Sequence, residues 1–339
     1  MHEEPNVKLS TLDEGGPDGV LLVVSSDLGH AVRADDIVPS LREAVESWDG
    51  CREALEERAR ALAEGRVRTR VFPLESLPLR ACLPRAFQFV DGSAYLAHVE
   101  RVRRARGAEM PPSFLVDPLM YQAVSDAFLA PRAPIAAFDE AHGIDFEAEV
   151  GVITAGVPAG ASRAQALQAI RLVTILNDVS LRELIPAELA KGFGFLQSKP
   201  LSALAPVAVT PDELGPHWRE ARLHLPLVSQ VNGETIGRPD AGADMQFGFD
   251  ELIAHAARTR PLGPGTLVGS GTVANRDAAR GCSCLAERRV LELLQDGRVR
   301  TPFLRFGDRV RIEMTDPEGR SVFGAIDQKV VRFDPSAAA

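Results

Sequence analysis

The sequence predicts an α+β fold that is rich in β-strands, with a small N-terminal α/β domain at 1–80, a larger domain at 81–335 and a tail at 336–339. Short runs dense in β-branched residues, bounded by Gly, Pro, Asn and Asp, follow one another through the larger domain. Helical patterns interrupt these runs irregularly, whereas a doubly wound parallel sheet would alternate strand and helix. Three prolines within 70–87 indicate an extended connection, and we place the domain boundary there.

The N-terminal domain is predicted to combine one buried strand with one or two helices. The run "GVLLVVSS" has the length and composition of a short buried strand. In the segment 35–65, the residues Leu41, Val45 and Trp48 recur at helical spacing, and Gly65 is a plausible helix end.

The larger domain has five segments with strand composition and two with helical composition. An Asn-Gly pair in "VNGE" predicts a β-hairpin, and "DPEG" predicts a longer turn. One helix is predicted over 162–173, with Ser162 as its N-cap, and another over 248–259. The strand segments are "FEAEVGVITAGV", "PVAVTP", "LHLPLVSQVNGETIG", "TLVGSGTV" and "DRVRIEMTDPEGRSVFGAI".

Composition argues against several classes of protein. A net charge of −9 and the absence of a long basic block argue against a nucleic-acid partner. Apolar runs such as "VLLVV" are far shorter than the roughly 20 residues that a membrane helix needs. Four cysteines in 339 residues predict no disulfide framework and a reducing, cytoplasmic location. The Cys282–Cys284 pair lacks the second ligand pair of a zinc site and is interpreted as packing.

Acidic and apolar residues alternate in "IDFEAEVGVI", 144–153. Successive strand side chains point to opposite sides, so Glu147 and Glu149 share a face, about 7 Å apart or less. Such a face is either solvated or half of a cation site. Taken alone, the pattern is more typical of a solvated face.

Two other stretches carry polar residues that could join such a site. In "TILNDVSLRE", Asp178 ends an apolar run and Arg182 follows it; the ordinary interpretation is an Asx turn or a helix N-cap. In "FVDGSAYLAHVERVRRARG", Asp91 precedes His98 by seven residues, which alone indicates nothing. The arginines within 101–106 are predicted to form a solvated helix face, from which one could reach a substrate carboxylate.

These pieces stand in an order that resembles the fumarylacetoacetate hydrolase family, from about residue 80 to 330. The resemblance rests on seven motifs taken together: "VDGSAYLAH", "DPLMYQAVSD", "FEAEVGVI", "LNDVSLRE", "FLQSKP", "GSGTVAN" and "GCSCLAERR". It implies a mixed β-sandwich roll for the larger domain, a homodimer, and a role in the catabolism of aromatic compounds.

The resemblance also implies which residues form the site. It places Lys199 beside a divalent metal ion, and it makes His98 the base that activates water, with Glu287 as its partner. The implied metal ligands are Glu147, Glu149 and Asp178, with Asp91 either a fourth ligand or a residue directly behind the ligands. The implied substrate-binding residues are Tyr121, Arg182 and Thr272.

The chemistry of these residue types is consistent with that assignment. Carboxylates share a pocket only if a cation neutralises them or their pKa values rise. Oxygen ligands select Mg²⁺, Ca²⁺ or Mn²⁺, and such an ion can chelate two oxygens of a small 1,3-diketo or 2-oxo acid. With Lys199 as a second positive charge and a His98–Glu287 base, the implied reaction is hydrolysis of the C–C bond between the carbonyls.

Two other functions stay open on the sequence. One is a 2-oxo acid decarboxylase, hydratase or tautomerase that works through the same metal-bound enolate. The other is a catalytically inactive β-rich binding domain with an acidic surface. The substrate residues also depart from the family pattern: Ile185 and Leu189 stand where fumarylacetoacetases have glutamine and tyrosine, Ser93 replaces a tyrosine, and Ala203 replaces a frequent threonine. The substrate is therefore expected to differ from that of the namesake enzyme.

Overall fold

Two β-sheets packed face to face form the body of the molecule in the computed structural model, which describes residues 7–105 and 109–338. The larger sheet has 11 strands and the smaller one has five. The structure therefore confirms the predicted α+β, strand-rich class. The predicted tail ends outside the described residues at position 339, while Pro335–Ala338 forms a 3₁₀ turn.

Twenty strands and seven α-helices are formed by the described residues. The strands are β1 (Lys8–Leu12), β2 (Val20–Val24), β3 (His30–Arg33), β4 (Val71–Pro73), β5 (Phe89–Gly92), β6 (Met120–Ala123), β7 (Ile135–Ala137), β8 (Ile144–Asp145), β9 (Ala148–Thr154), β10 (Ile170–Asn177), β11 (Ser180–Leu181), β12 (Ala203–Leu204), β13 (Val207–Val209), β14 (Trp218–Arg219), β15 (Arg222–Leu223), β16 (Leu227–Val231), β17 (Glu234–Gly237), β18 (Thr266–Gly269), β19 (Arg309–Met314) and β20 (Ile326–Arg332). The helices are α1 (Leu41–Glu46), α2 (Trp48–Ala63), α3 (Leu96–Ala105), α4 (Arg163–Ala169), α5 (Ile185–Leu189), α6 (Phe249–Ala256) and α7 (Leu285–Asp296).

The large sheet runs through both halves of the chain. Its order is β4-β3-β2-β1-β13-β10-β9-β18-β5-β6, and β12 pairs with β10 beside this path. The small sheet has the order β17-β16-β19-β20-β7. The N-terminal strands thus extend the same sheet as the rest of the chain, because β1 pairs antiparallel with β13. The division at residue 80 stays a prediction.

An apolar layer covers each face of the large sheet, and β10 contributes side chains to both layers. Its residues Val173 and Ile175 pack into the core that also contains side chains of the small sheet, such as Ile312. Its residues Leu172 and Leu176 pack into a second core together with side chains of α1 and α2. A strand buried on both faces reads as a continuous apolar run instead of an alternating one.

The predicted helix over 162–173 is correct only in its first half. Ser162 caps α4 in a complete capping box with Gln165, as the sequence indicated. The helix ends at Ala169, and Ile170 starts β10, which pairs with β9. The β-branched residues after 169 gain more from pairing in the buried sheet than from continuing an isolated helix.

Other local predictions are confirmed. Asn232 and Gly233 both have positive φ and join β16 to β17 as a tight hairpin, and Gly65 has φ +67° just past α2. Cys282 and Cys284 are buried free thiols. Across residues 7–105 and 109–338, the longest helices are too short or too polar to cross a membrane.

Candidate active site

Glu147 and Glu149 lie at the start of β9 in the middle of the large sheet. Glu147 immediately precedes β9, and Glu149 is its second residue. β9 lies between β10 and β18, and all its residues are buried. The two glutamates are 5% and 0% exposed. Their shared face is therefore an interior surface, and a solvated face is excluded.

Three buried carboxylates converge across neighbouring strands. Asp91 belongs to β5, Glu149 to β9, and Asp178 follows β10. β18 pairs with both β5 and β9, while β9 pairs with β10 with Leu176 opposite Glu149. One oxygen of each carboxylate lies within 4.8 Å of the others. We call Asp91, Glu149 and Asp178 the carboxylate cluster.

The carboxylate cluster holds more negative charge than its surroundings neutralise. Burial raises the pKa of Asp91 to about 8, and the charge of Asp178 adds to the rise. Burial raises the pKa of Glu149 well above its ordinary value, and the charges of Asp91 and Asp178 add to the rise. Neither oxygen of Glu149 has a hydrogen-bond partner among the described residues. Because Asp91 and Glu149 are both acceptors when ionised, they can bond only by sharing a proton.

A divalent cation satisfies this arrangement. Unpaired buried carboxylates are costly, and a coordinated ion removes that cost. Three convergent oxygen ligands suit a hard ion such as Mg²⁺, Mn²⁺ or Ca²⁺. The residues that would hold it are those of the carboxylate cluster, with Glu147 beside them in the same cavity.

Gly269 makes room for the carboxylate cluster. A Cβ atom at this position would lie 2.2 Å from Asp91 Oδ1 and 3.1 Å from Glu149 Oε2. Two residues further on, the N–H of Gly271 donates to Asp91 Oδ1 over 3.2 Å. The close approach of backbone and carboxylate explains why "VGSG" has no side chain at this point.

Lys199 and Arg182 neutralise Glu147. Lys199 Nζ donates to Glu147 and also to Asp178, and Arg182 Nη2 lies 2.7 Å from Glu147 Oε1. Burial alone would raise the pKa of Glu147, but the charges of Arg182 and Lys199 hold it far below its usual range. Glu147 is therefore an ionised anchor for two cations.

Asp178 has partners on both oxygens. Its Oδ1 accepts from Ser202 Oγ over 2.7 Å, and its Oδ2 accepts from Tyr121 Oη over 2.7 Å. Burial raises the pKa of Tyr121 well above its usual value, and the charge of Asp178 raises it further, so the phenol stays a donor. The Tyr121 ring also packs edge-to-face on Phe195, with centroids 4.9 Å apart.

His98 of α3 and Glu287 of α7 form a polar pair where these two helices pack against each other. His98 Nδ1 lies 2.7 Å from Glu287 Oε2, and Arg101 donates to the other oxygen of Glu287. Burial alone would raise the pKa of Glu287, but the bond from His98 and the charge of Arg101 lower it. Glu287 is therefore the acceptor of the bond to His98 Nδ1, and Nε2 is the ring nitrogen on the side away from Glu287.

Arg101 corrects one prediction. The arginines within 101–106 were expected to form a solvated face, but the side chain of Arg101 is only 12% exposed. Besides Glu287 it binds the carbonyl of Asn275 over 2.7 Å. Arg104 is exposed as predicted, and position 106 lies outside the described residues. Spacing gave a usable signal here, because His98 and Arg101 are three residues apart on one helix face.

Asp145 links Arg182, which contacts Glu147, to the start of α7, the helix that carries Glu287. It is fully buried, and its oxygens accept from the N–H groups of Leu285 and Ala286 at the start of α7 over 2.8 and 2.9 Å. It also accepts from Arg182 Nε over 2.8 Å. Arg182, implied by the resemblance to bind substrate, thus has Asp145 and Glu147 as its direct partners. A lone Asp before an E-x-E pattern gave no signal of this role.

The carboxylate cluster and the His98–Glu287 pair open into one cavity of about 470 Å³. Asp178 lies behind Tyr121 and Lys199, and Glu287 lies behind His98. The other eight residues singled out from the sequence line the cavity: Asp91, His98, Tyr121, Glu147, Glu149, Arg182, Lys199 and Thr272. The fold therefore brings all ten together, although their separation along the chain is up to 196 positions.

Two family models together match most of the chain. Residues 88–331 match the family described as fumarylacetoacetate (FAA) hydrolase C-terminal, and residues 7–85 match fumarylacetoacetase N-terminal domain 2. An uncharacterized protein of Pyrococcus abyssi is 28% identical over 174 residues, which is 50% of this chain and 72% of that protein.

Solved structures share the fold over almost the whole chain. The 2-hydroxyhepta-2,4-diene-1,7-dioate isomerase of Mycobacterium marinum has a TM-score of 0.59 and 19% identity, covering 96% of this chain and 98% of that one. The maleylpyruvate hydrolase of Sphingobium sp. SYK-6, in complex with manganese(II) and pyruvate, has a TM-score of 0.64 and 16% identity, covering 96% and 100%. At these identities the likeness concerns the fold alone.

Proposed function

Because the chain belongs to the fumarylacetoacetate hydrolase family, we propose that it hydrolyses a C–C bond in a 1,3-diketo acid with the aid of a divalent metal ion. The observation that carries this proposal is the His98–Glu287 pair, which opens into the same cavity as the carboxylate cluster. Enolate chemistry alone needs no base for water, whereas hydrolysis does.

Glu147, Glu149 and Asp178 would hold the ion, as the family resemblance implies, and Asp91 would be the fourth ligand. When bound, Mg²⁺, Mn²⁺ or Ca²⁺ would supply positive charge for two substrate oxygens. The maleylpyruvate hydrolase that shares the fold was solved with manganese(II) and pyruvate. Those two ligands support a divalent ion and a 2-oxo acid head group here.

The residues of this chain would divide the reaction as follows. His98 Nε2 takes a proton from water, and Glu287 stabilises the charged imidazole. The water oxygen bonds to the acyl carbonyl carbon, and the C–C bond to the methylene carbon breaks. The electron pair passes to that carbon, which takes up the proton that His98 removed from water. The products are a carboxylic acid and an oxo acid, which is a 2-oxo acid when the substrate is an acylpyruvate. Lys199 stabilises negative charge on the substrate oxygens during the reaction.

One assay tests this proposal. The near-ultraviolet absorbance of fumarylacetoacetate, fumarylpyruvate, acetylpyruvate and oxaloacetate is followed with Mg²⁺, Mn²⁺, Ca²⁺ or EDTA, for the wild type and for His98→Ala. The exposed His30 on β3, changed in His30→Ala, is the matched control. Metal-dependent loss of a diketo acid that His98→Ala abolishes, and His30→Ala keeps, supports hydrolysis.

The structural likeness to an isomerase favours a second candidate, a reaction that stops at the enolate. This candidate uses the carboxylate cluster and Lys199 without activated water. It predicts turnover of oxaloacetate that survives in His98→Ala, together with no cleavage of any diketo acid. That result would overturn the hydrolase proposal.

A further inference from the structure

The walls of the active-site cavity differ from its polar end. The polar residues bond mainly to one another: Lys199 and Arg182 to carboxylates, and His98 to Glu287. The walls come largely from three helices, and most of their side chains there are hydrocarbon. These are Val99 and Val102 of α3, Ile185 and Leu189 of α5, and Val290 and Leu293 of α7.

Apolar side chains in the mouth of the cavity stay partly uncovered. Leu189 is 45% exposed, Leu293 is 40% exposed and Val299 is 40% exposed. Single exposed apolar residues are ordinary, but several that line one concave surface mark a binding site. A substrate chain that occupies this part of the cavity would remove these three side chains from water. Only an apolar substrate chain gains free energy from that contact.

The charged residues on the walls give little support for an anionic chain. Apart from the charged residues of the polar end, the described lining includes one cation, Arg289, and one anion, Glu183. Arg289 donates to the carbonyl of Thr301 over 2.5 Å, and its guanidinium lies 4.2 Å from the centre of the Phe303 ring. A second substrate carboxylate at Arg289 would share this arginine with the Thr301 carbonyl and would also meet the charge of Glu183, which lines the same part of the cavity.

We propose that the substrate of this cavity is a diketo acid whose acyl group is an uncharged alkyl or aryl chain, with no second carboxylate. This inference rests on the proposed function and names its substrate class. The 2-oxo acid end lies at the carboxylate cluster and Lys199. The acyl chain lies along the walls from α3, α5 and α7, and hydrolysis releases an apolar carboxylic acid.

Two isosteric substrates test the charge preference directly. Succinylpyruvate and 4-methylpentanoylpyruvate have acyl chains of the same shape, but only the first ends in a carboxylate. We expect kcat/KM to be about tenfold or more higher for the uncharged one, and to rise about threefold per methylene from acetylpyruvate to hexanoylpyruvate. Equal or faster cleavage of succinylpyruvate would overturn the inference.

Variants locate the effect on the walls. Leu189→Gln should reduce the ratio of kcat/KM for hexanoylpyruvate over acetylpyruvate, because it replaces a partly exposed apolar contact without disturbing the core. Leu294→Gln is the control, since Leu294 is equally exposed on α7 but does not line the cavity. A preference for succinylpyruvate that disappears in Arg289→Gln would show an anionic chain and contradict the inference.

Acetylpyruvate separates failure of the inference from failure of the proposed function. Its acyl chain is too short to reach far along the walls, so its cleavage depends on the polar end alone. If acetylpyruvate is cleaved but longer apolar chains gain nothing, the chain preference is wrong and the hydrolase stands. If neither an acylpyruvate nor fumarylacetoacetate is cleaved, the proposed function and this substrate class both fail. Cleavage of fumarylacetoacetate alone would contradict only the substrate class.

Discussion

Arg182 donates from Nε to Asp145 over 2.8 Å, and this buried bond connects the surroundings of Glu147 to the helix that carries Glu287. On one side, Arg182 lies against Glu147. On the other, Asp145 accepts from the backbone of Leu285 and Ala286 at the N-terminus of α7, where the helix dipole favours a negative charge. Asp145 therefore holds the start of α7, the helix that carries Glu287, close to Arg182 and Glu147.

Asp145→Asn should lower stability and activity together. It leaves the buried Arg182 with one charged partner fewer, and removal of a partner from a buried ion pair costs about 3 kcal/mol of unfolding free energy. Urea unfolding measures this cost, and kcat measures the misplacement of His98. The control is Asp139→Asn, because Asp139 also caps a short turn through the N–H of Ala141 but lies at the surface. Wild-type kcat in folded Asp145→Asn would remove the positioning role.

Added divalent ions should raise the melting temperature of the wild type. An ion at about 100 times its Kd stabilises a native state that alone binds it by about 2.7 kcal/mol. Glu149→Gln should lose this shift because it removes an oxygen charge from the carboxylate cluster, whereas Glu100→Gln on the exposed side of α3 should keep it. A wild-type melting curve that no ion moves would favour the inactive binding domain.

Gly269→Ala should also abolish the metal-dependent shift, by steric means. The added methyl group would lie 2.2 Å from Asp91 Oδ1, so the paired strands β5 and β18 must move apart. Overpacking of this kind costs about 1–3 kcal/mol of unfolding free energy. Gly263→Ala is the matched control, since the nearest atoms there are 3.9 Å away. A normal metal shift in Gly269→Ala would show that the cluster tolerates the displacement.

The sequence predicts local structure well where the signal is local. Ser162 and Asn232-Gly233 act within a few residues, and both are confirmed. The end of α4 was placed too late, because pairing of β10 with β9 is a long-range effect that the residues around Ile170 do not encode alone.

The assembly of the site needed the resemblance to a family as well as the residues. Asp91 and Asp178 are 87 positions apart, and nothing in spacing alone brings them together. Asp145, Arg101 and Ser202 were missed for a related reason. Each acts by bonding to another site residue, and such bonds become visible only once strands and helices are packed.

Arg101→Gln should slow the reaction without weakening metal binding. Arg101 helps to keep the pKa of Glu287 low, so its removal raises that pKa. Glu287 would then become protonated at a higher pH. The fall of kcat on the acid side of the pH profile should therefore begin at a higher pH. General-base catalysis contributes about a hundredfold or more, of which we expect a partial loss. Arg104→Gln, on an exposed position of the same helix, should leave the profile unchanged. An unmoved acid limb in Arg101→Gln would contradict this role.

Glu188 should stabilise the segment before Lys199 in a pH-dependent way. Burial alone would raise its pKa, but bonds from the Ser198 hydroxyl and from the N–H groups of 196–198 outweigh burial and lower it to about 2. A folded pKa below the unfolded value of about 4.5 means that the stabilisation is complete above pH 5. It is lost as the pH falls toward 2.

The melting temperature of the wild type should therefore exceed that of Glu188→Gln most at pH 6, and the difference should shrink steadily between pH 5 and pH 3. General acid destabilisation affects both proteins and cancels in the difference. Glu234→Gln, at an exposed position of β17, should differ little from the wild type at every pH. A difference between wild type and Glu188→Gln that stays constant with pH would mean that packing of the side chain, and not its charge, holds the segment that leads to Lys199.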